Sequence, residues 1–341
     1  MYSKSELQPV LINYKFKFMA KKHFTALELI LDSNGENEKQ LLEGVFEKTG
    51  LACIAGSTDT LKSMLLRDLA ISISQEETDF IGFKLNTVHN KVIFLSTEDS
   101  KSKTSELLRI QTEGLVHDSL NRIRFLFNPE NALAEIEQLL KVEKVDAVII
   151  DCFGDIFLGD SIRSNEVRQF LNLFQRLSEE YGCLIIFLHH TNKRSEFGAP
   201  SKHNINGGQA FQAKMRTVVE LRKDPSDTDI RHFCIVKGNY LKETQKNRSF
   251  ILNFDQDNLR FNSIGERAEY DSLYEQDIDY DKIYKYQIAS NLKKSGLKHK
   301  DIAVKLDCSE PTISRLLREG DSKRWTEIGP DEEEALCLQP I

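Results

Sequence analysis

The sequence predicts an α/β domain, a mostly parallel sheet with helices on both faces, followed by a small all-α unit. Three observations lead there. Short β-rich runs alternate with helix-length amphipathic stretches from about residue 45 to 262, and those runs are apolar almost throughout. The net charge, −7 for the 341 residues, then changes sign locally near the C-terminus. Near-continuous apolar strands separated by helices are expected where both faces of a parallel sheet are covered.

The expected strands are Leu51–Ala55, Lys91–Ser96, Ile123–Phe127, Ala147–Asp151, Leu184–His189, Thr217–Leu221, His232–Lys237 and Phe250–Phe254. Helical patterns fill the gaps between the first five, at Lys62–Ser74, Ser102–Gln111, Asn131–Lys141 and Asn165–Tyr181. The later strands come closer together, joined by turns such as Lys223-Asp224-Pro225-Ser226-Asp227, which predicts an antiparallel end to the sheet. Residues 1–44 read as an N-terminal arm and 45–262 as the α/β domain. Residues 263–281 read as an acidic linker, since 266–281 carry seven acids against one base. A basic unit, 282–325, and an acidic tail, 326–341, complete the plan. In 282–324 there are eleven Lys and Arg against five Asp and Glu.

Composition excludes several classes. Forty per cent hydrophobic residues supports a real core, and no apolar run approaches the roughly 18–20 residues of a membrane span. No signal-peptide pattern opens the chain. The six cysteines form no close pair and no Cys-x-x-Cys, which predicts a reducing, cytoplasmic setting without disulfides or structural zinc.

The strand at 51–55 leads into Gly56-Ser57-Thr58-Asp59-Thr60-Leu61-Lys62-Ser63 and then a helix. This is the G-x-x-x-x-G-K-[ST] frame with Leu61 in place of the second glycine. Consecutive backbone N–H groups would wrap a phosphate, Lys62 would reach the β/γ-phosphates, and the Ser63 hydroxyl would sit on Mg²⁺. The same residues also fit a polar turn that caps a helix, and a leucine at 61 is expected to crowd the phosphates.

Three further strand ends carry polar groups. Ser96-Thr97-Glu98-Asp99 places a carboxylate, Glu98, where it could activate water, although the cluster also fits a helix N-cap. The run Val145–Asp151 ends on Asp151, as a magnesium-holding strand does. His189-His190 invites a metal reading, but neighbours on a strand face opposite ways and no second ligand cluster supports it.

The segments AGSTDTLKS, VIFLSTEDS, VDAVIIDCFGDI, LIIFLHHTNK and CIVKGNY, in that order, resemble the RecA-type ATPases of the RepA/DnaB replicative-helicase branch, the AAA_25 group. The resemblance covers about residues 40–260. It implies a RecA-like fold, ATP with Mg²⁺, and a homo-oligomeric ring, hexameric in the family, with ATP between subunits. It implies Lys62 and Ser63 as the Walker-A pair, Glu98 as the catalytic carboxylate, Asp151 as the Walker-B acid, His189 and His190 as phosphate sensors, and Lys237 as a residue reaching the neighbour's site. Asn239 stands where helicase members carry an arginine. The loop at 192–208, with Lys193, Arg194 and Lys202, lies where such proteins touch nucleic acid. It also fits a plain surface excursion.

Within the basic unit, three helices are expected, at about Lys282–Lys293, Lys298–Leu306 and Glu310–Glu319. The stretch DIAVKLDCSEPTISRLLRE resembles the helix-turn-helix of bacterial regulators and resolvase-like proteins. Ser309 would cap the last helix, and Thr312, Ser314, Arg315 and Arg318 would project toward DNA. A helical bundle for protein contacts is the alternative. The function expected is a DNA-associated RecA/RepA-like ATPase, helicase- or remodelling-type and linked to a mobile element, plasmid or phage. The competing expectation is a non-hydrolysing DNA-binding regulator that uses a degenerate P-loop body as an oligomerisation platform.

Overall fold

The computed structural model describes residues 23–32, 40–115, 117–159, 163–192, 198–206, 208–274 and 280–322. The chain divides into two units, Met1–Tyr274 and Glu275–Ile341.

The first unit runs α1 (Ala26–Asp32), β1 (Gly50–Gly56), α2 (Lys62–Ser74), β2 (Asp79–Phe80), β3 (Phe83–Lys84), β4 (Val92–Ser96), α3 (Lys101–Gln111), β5 (Ile123–Phe127), α4 (Ala132–Val142), β6 (Ala147–Asp151), α5 (Phe153–Ile156), α6 (Ser164–Tyr181) and β7 (Leu184–His190). It continues with α7 (Gly208–Lys214), β8 (Thr217–Lys223), β9 (Ile230–Gly238), β10 (Arg248–Asp255) and β11 (Arg260–Glu269). One nine-stranded sheet has the order β11-β10-β9-β8-β1-β7-β6-β4-β5. From β8 to β5 every pairing is parallel. From β8 to β11 every pairing is antiparallel, as the short turns predict.

Alternation along each strand feeds two cores. Ala52 and Ile54 join Leu65, Leu69, Phe94, Ile149 and Ile186 on one face. Cys53 and Ala55 join Leu95, Ile150, Leu171, Phe174 and Phe187 on the other. Helix boundaries follow local chemistry. Ser100 and Asn131 accept hydrogen bonds from Lys103 N and Ala134 N at the starts of α3 and α4. Gly182 closes α6 in the left-handed conformation.

Two expected boundaries move. The arm was expected to end at 44, yet Leu41 and Leu42 are buried with Val45 and Phe46, and Leu42 bridges to both Phe46 and Leu85. The linker was expected from 263, yet β11 runs on to Glu269 and a 3-10 turn follows at Tyr270–Ser272. Its charged, exposed residues are those of an edge strand with a single partner, where charge discourages further pairing.

The second unit holds α8 (Tyr280–Lys294), α9 (His299–Lys305) and α10 (Glu310–Ser322). Its core is Tyr286, Ala289, Ile302, Ala303, Ile313, Leu316 and Leu317. Gly320 is required there, because a Cβ would lie 2.2 Å from the Tyr286 ring. The Ser309 hydroxyl accepts from Thr312 N at 3.4 Å, the expected cap.

Candidate functional site

The loop between β1 and α2 opens at the C-terminal edge of the parallel strands. A Cβ on Gly56 would lie 2.6 Å from the Leu221 carbonyl oxygen and 2.7 Å from Thr60 Oγ1, so only glycine fits. Asp59 and Leu61 both have positive φ, 61° and 68°. Successive residues of unlike handedness turn N–H groups toward one concavity, the geometry of an anion nest. Leu61 thus takes the left-handed conformation that a second glycine would take, at a cost of about 1–2 kcal/mol for an L-residue. The expected crowding is answered by where the side chain goes. It packs against the apolar cluster that holds Leu65 and Ile54.

Lys62 is 5 % exposed, and its ammonium donates to Ser57 O at 2.7 Å and approaches Thr60 Oγ1 at 3.4 Å. Thr60 Oγ1 also donates to Ser57 O at 2.9 Å. Burial lowers the Lys62 pKa, opposed by the charges of Asp151 and Glu98.

Asp151 ends β6 and is buried, with Oδ1 lacking any partner among the described residues. Burial pushes its carboxyl up to about 6, while the hydrogen bond from Ser63 pulls it down. An orphaned carboxylate oxygen beside a serine hydroxyl fits a hard, oxygen-seeking cation such as Mg²⁺. Thr97 fastens the neighbouring strand end, its N–H and hydroxyl both donating to Asp151 O, at 2.8 and 2.9 Å. The hydroxyl also contacts Asp155.

Glu98 follows Thr97 with its carboxylate 47 % exposed and 3.5 Å from His190 Nε2. The two histidines part company, as strand alternation requires. His189 is buried against Phe153 and Phe211, ring centroids 5.1 and 4.7 Å away, and burial lowers its pKa to about 4. His190 faces Glu98. Lys62, Ser63, Glu98, Asp151 and His190 therefore meet at one edge, while His189 belongs to the aromatic layer behind it.

Other expected residues lie elsewhere. Lys237 pairs in register with Val218, near the start of β8, and its ammonium donates to the carbonyls of Gln212 and Met215 at 2.7 and 2.6 Å. In its own chain it caps the end of α7. Lys193 and Arg194 fall outside the described residues, whereas Lys202 is exposed in a 3-10 turn. That turn is held by Glu220, whose carboxylate accepts from Ser201 N at 2.8 Å and pairs with Arg222 at 2.7 Å. In the second unit Ser309, Ser314, Arg315 and Arg318 are exposed and Thr312 is half-buried. The hydroxyls of Ser309 and Thr312 lie 2.7 Å apart, and Ser314 Oγ is 3.0 Å from His299 Nδ1.

Sequence reading passed over Arg67, Thr97 and Cys152. Arg67 interrupts the apolar run of α2 five residues after Lys62, a signal that was available. It is 1 % exposed and pairs with Asp99 at 2.8 Å.

No helix among the described residues is long and apolar enough to cross a membrane. No curated protein matches the chain. The profile of the AAA_25 family, an AAA domain, matches residues 18–196, more than half of the 341. With the left-handed loop after β1, the acids at the ends of β4 and β6 and the parallel sheet that presents them, the chain belongs to the AAA_25 family of P-loop, RecA-like ATPases.

Proposed function

We propose that the protein binds ATP with Mg²⁺ in the loop of residues 56–63, hydrolyses it, and couples that cycle to DNA as a RepA/DnaB-type oligomeric ring. One observation carries the nucleotide reading. Lys62, Ser63, Glu98 and Asp151 come from three separate elements, yet the sheet register sets Ser96 opposite Asp151 and Gly56 opposite His190, and both Asp151 and Glu98 act on the charge of Lys62. The amides of the loop and the Lys62 ammonium would hold the phosphates, and Ser63 and Asp151 would hold the magnesium, which supplies charge neutralisation when bound. Glu98, with its side chain 47 % exposed, would accept the proton of an attacking water. His190, within reach of Glu98, would respond to the terminal phosphate. Lys237 would act on a neighbouring subunit only by leaving the carbonyls it now caps.

The basic helices supply the DNA reading. Arg315 and Arg318 are exposed on α10, the second helix of a turn-linked pair. Phosphate contacts from such residues make affinity fall steeply with salt. The free cysteines among the described residues support a reducing compartment. A second reading, a non-hydrolysing DNA-binding platform, draws on the strained leucine at 61. DNA binding, together with ATP hydrolysis measured with and without duplex DNA, on the full chain and on a truncation ending at residue 281, separates the two. DNA-stimulated turnover that the truncation loses supports the proposal. DNA binding without turnover supports the platform, and no DNA binding by the full chain refutes both.

A further inference from the structure

The order β7-β6-β4 places three strand ends side by side at the nucleotide edge of the sheet. His190 closes β7, Cys152 follows Asp151 at the end of β6, and Glu98 lies two residues beyond β4. Their potential ligand atoms all lie within 4.8 Å of one another. The His190 Nε2 to Glu98 Oε1 separation is 3.5 Å. Two donors on one tetrahedral zinc, each about 2.0–2.1 Å from the ion, stand about 3.3–3.4 Å apart. So that edge of the polyhedron is already in place. Closing the rest asks mainly for rotation of Glu98, the most exposed of the three.

The framework is fixed. His190 N donates to His189 Nδ1 at 2.8 Å, and its carbonyl accepts from Asn206 N at 3.0 Å. Cys152 N donates to Thr97 Oγ1 at 3.1 Å. Asp155 Oδ2, 3.5 Å from Cys152 Sγ, adds negative charge beside the cluster, and Lys62 is the opposing cation. In the sequence the histidine pair has no second ligand cluster beside it. The sheet supplies the missing donors from two neighbouring strands.

We propose that Glu98, Cys152 and His190 form a binding site for a borderline-soft divalent cation, zinc, distinct from the magnesium position at Ser63 and Asp151. One imidazole nitrogen, one thiolate and one carboxylate favour zinc over the hard cations, and three protein donors leave a fourth position for water. On binding, the Cys152 thiol loses its proton to solvent and sulfur bonds the metal, since a coordinated thiol is deprotonated outright. A metal here also occupies Glu98, so zinc is an inhibitor of turnover. That consequence rests on the assignment of Glu98 as the base, whereas the binding does not.

The test uses the full chain without nucleotide. Cobalt(II) reports a cysteine ligand through its thiolate-to-metal charge-transfer absorption, and zinc affinity follows from competition with a chromogenic chelator. Expected are one cobalt per chain with that absorption, its removal by zinc, and its persistence in excess Mg²⁺. Cys152→Ser should abolish the absorption, and both it and His190→Gln should weaken zinc by roughly tenfold or more. Should Cys152→Ser fail to fold, His190→Gln and Glu98→Gln decide the matter through the same competition. Absence of the charge-transfer absorption in the wild type, or zinc affinity unchanged in the folded variants, overturns the site. Neither outcome depends on whether ATP is hydrolysed.

Discussion

The guanidinium of Arg67, 1 % exposed inside the sheet-covering helix α2, lies 2.8 Å from the carboxylate of Asp99, the residue after Glu98. A charge this deeply buried must be paired, and here the pairing ties the helix that carries the phosphate loop to the segment that carries the proposed base. Arg67 also depresses the Asp151 carboxyl, though burial outweighs it.

Arg67→Met should therefore shift two things. Asp99 is partly solvated and can rehydrate, so stability should fall by no more than about 1–3 kcal/mol. Loss of the nearby cation should raise the Asp151 pKa further, moving the Mg²⁺-dependent part of nucleotide binding to higher pH. Arg67→Lys keeps the charge and should restore part of that profile. Nucleotide affinity measured across pH, with and without Mg²⁺, checks this.

Leu61 is held at φ 68°. Replacement by alanine keeps the left-handed strain and loses the packing against the core, while glycine loses the packing and relieves the strain. Leu61→Gly should thus be more stable than Leu61→Ala by about 1 kcal/mol in urea unfolding. Equal stabilities would mean that the residue is not left-handed in solution.

Asp151 carries a pH dependence whose sign is fixed. Its folded pKa, about 6, lies above the ordinary 3.8, so the native state holds its proton more tightly than the unfolded chain does. Stability from this group is fully present below pH 3.8 and is lost as pH rises through 6. Asp151→Asn removes the penalty, so it should stabilise the chain at pH 7 by on the order of 2–3 kcal/mol and bring little gain at pH 4. Denaturation of both proteins at the two pH values measures the difference. The same substitution should abolish the Mg²⁺-dependent gain in nucleotide affinity.

The parallel strands were legible because both faces are buried, leaving runs such as Ala147–Ile150 with no polar interruption. The loop was legible because the Gly56 and Lys62-Ser63 spacing survives the change at 61. Strand β11 was not, since an edge strand with charged, exposed side chains has the composition of a linker. Arg67 was visible as a charge in an apolar run, but its partner lies thirty-two positions away and only the fold names it. The Glu98, Cys152 and His190 cluster is likewise a product of strand order, which sequence spacing does not encode.

The most direct test of the account is the equilibrium affinity of the full chain for ATP with and without Mg²⁺, beside that of Lys62→Ala. A charge-assisted contact of about 1.5–3 kcal/mol predicts affinity about 10–100-fold weaker in the variant. Omitting Mg²⁺ should weaken the wild type as well. Wild-type affinity that is indifferent to both Lys62 and Mg²⁺, or no ATP binding at all, would contradict it.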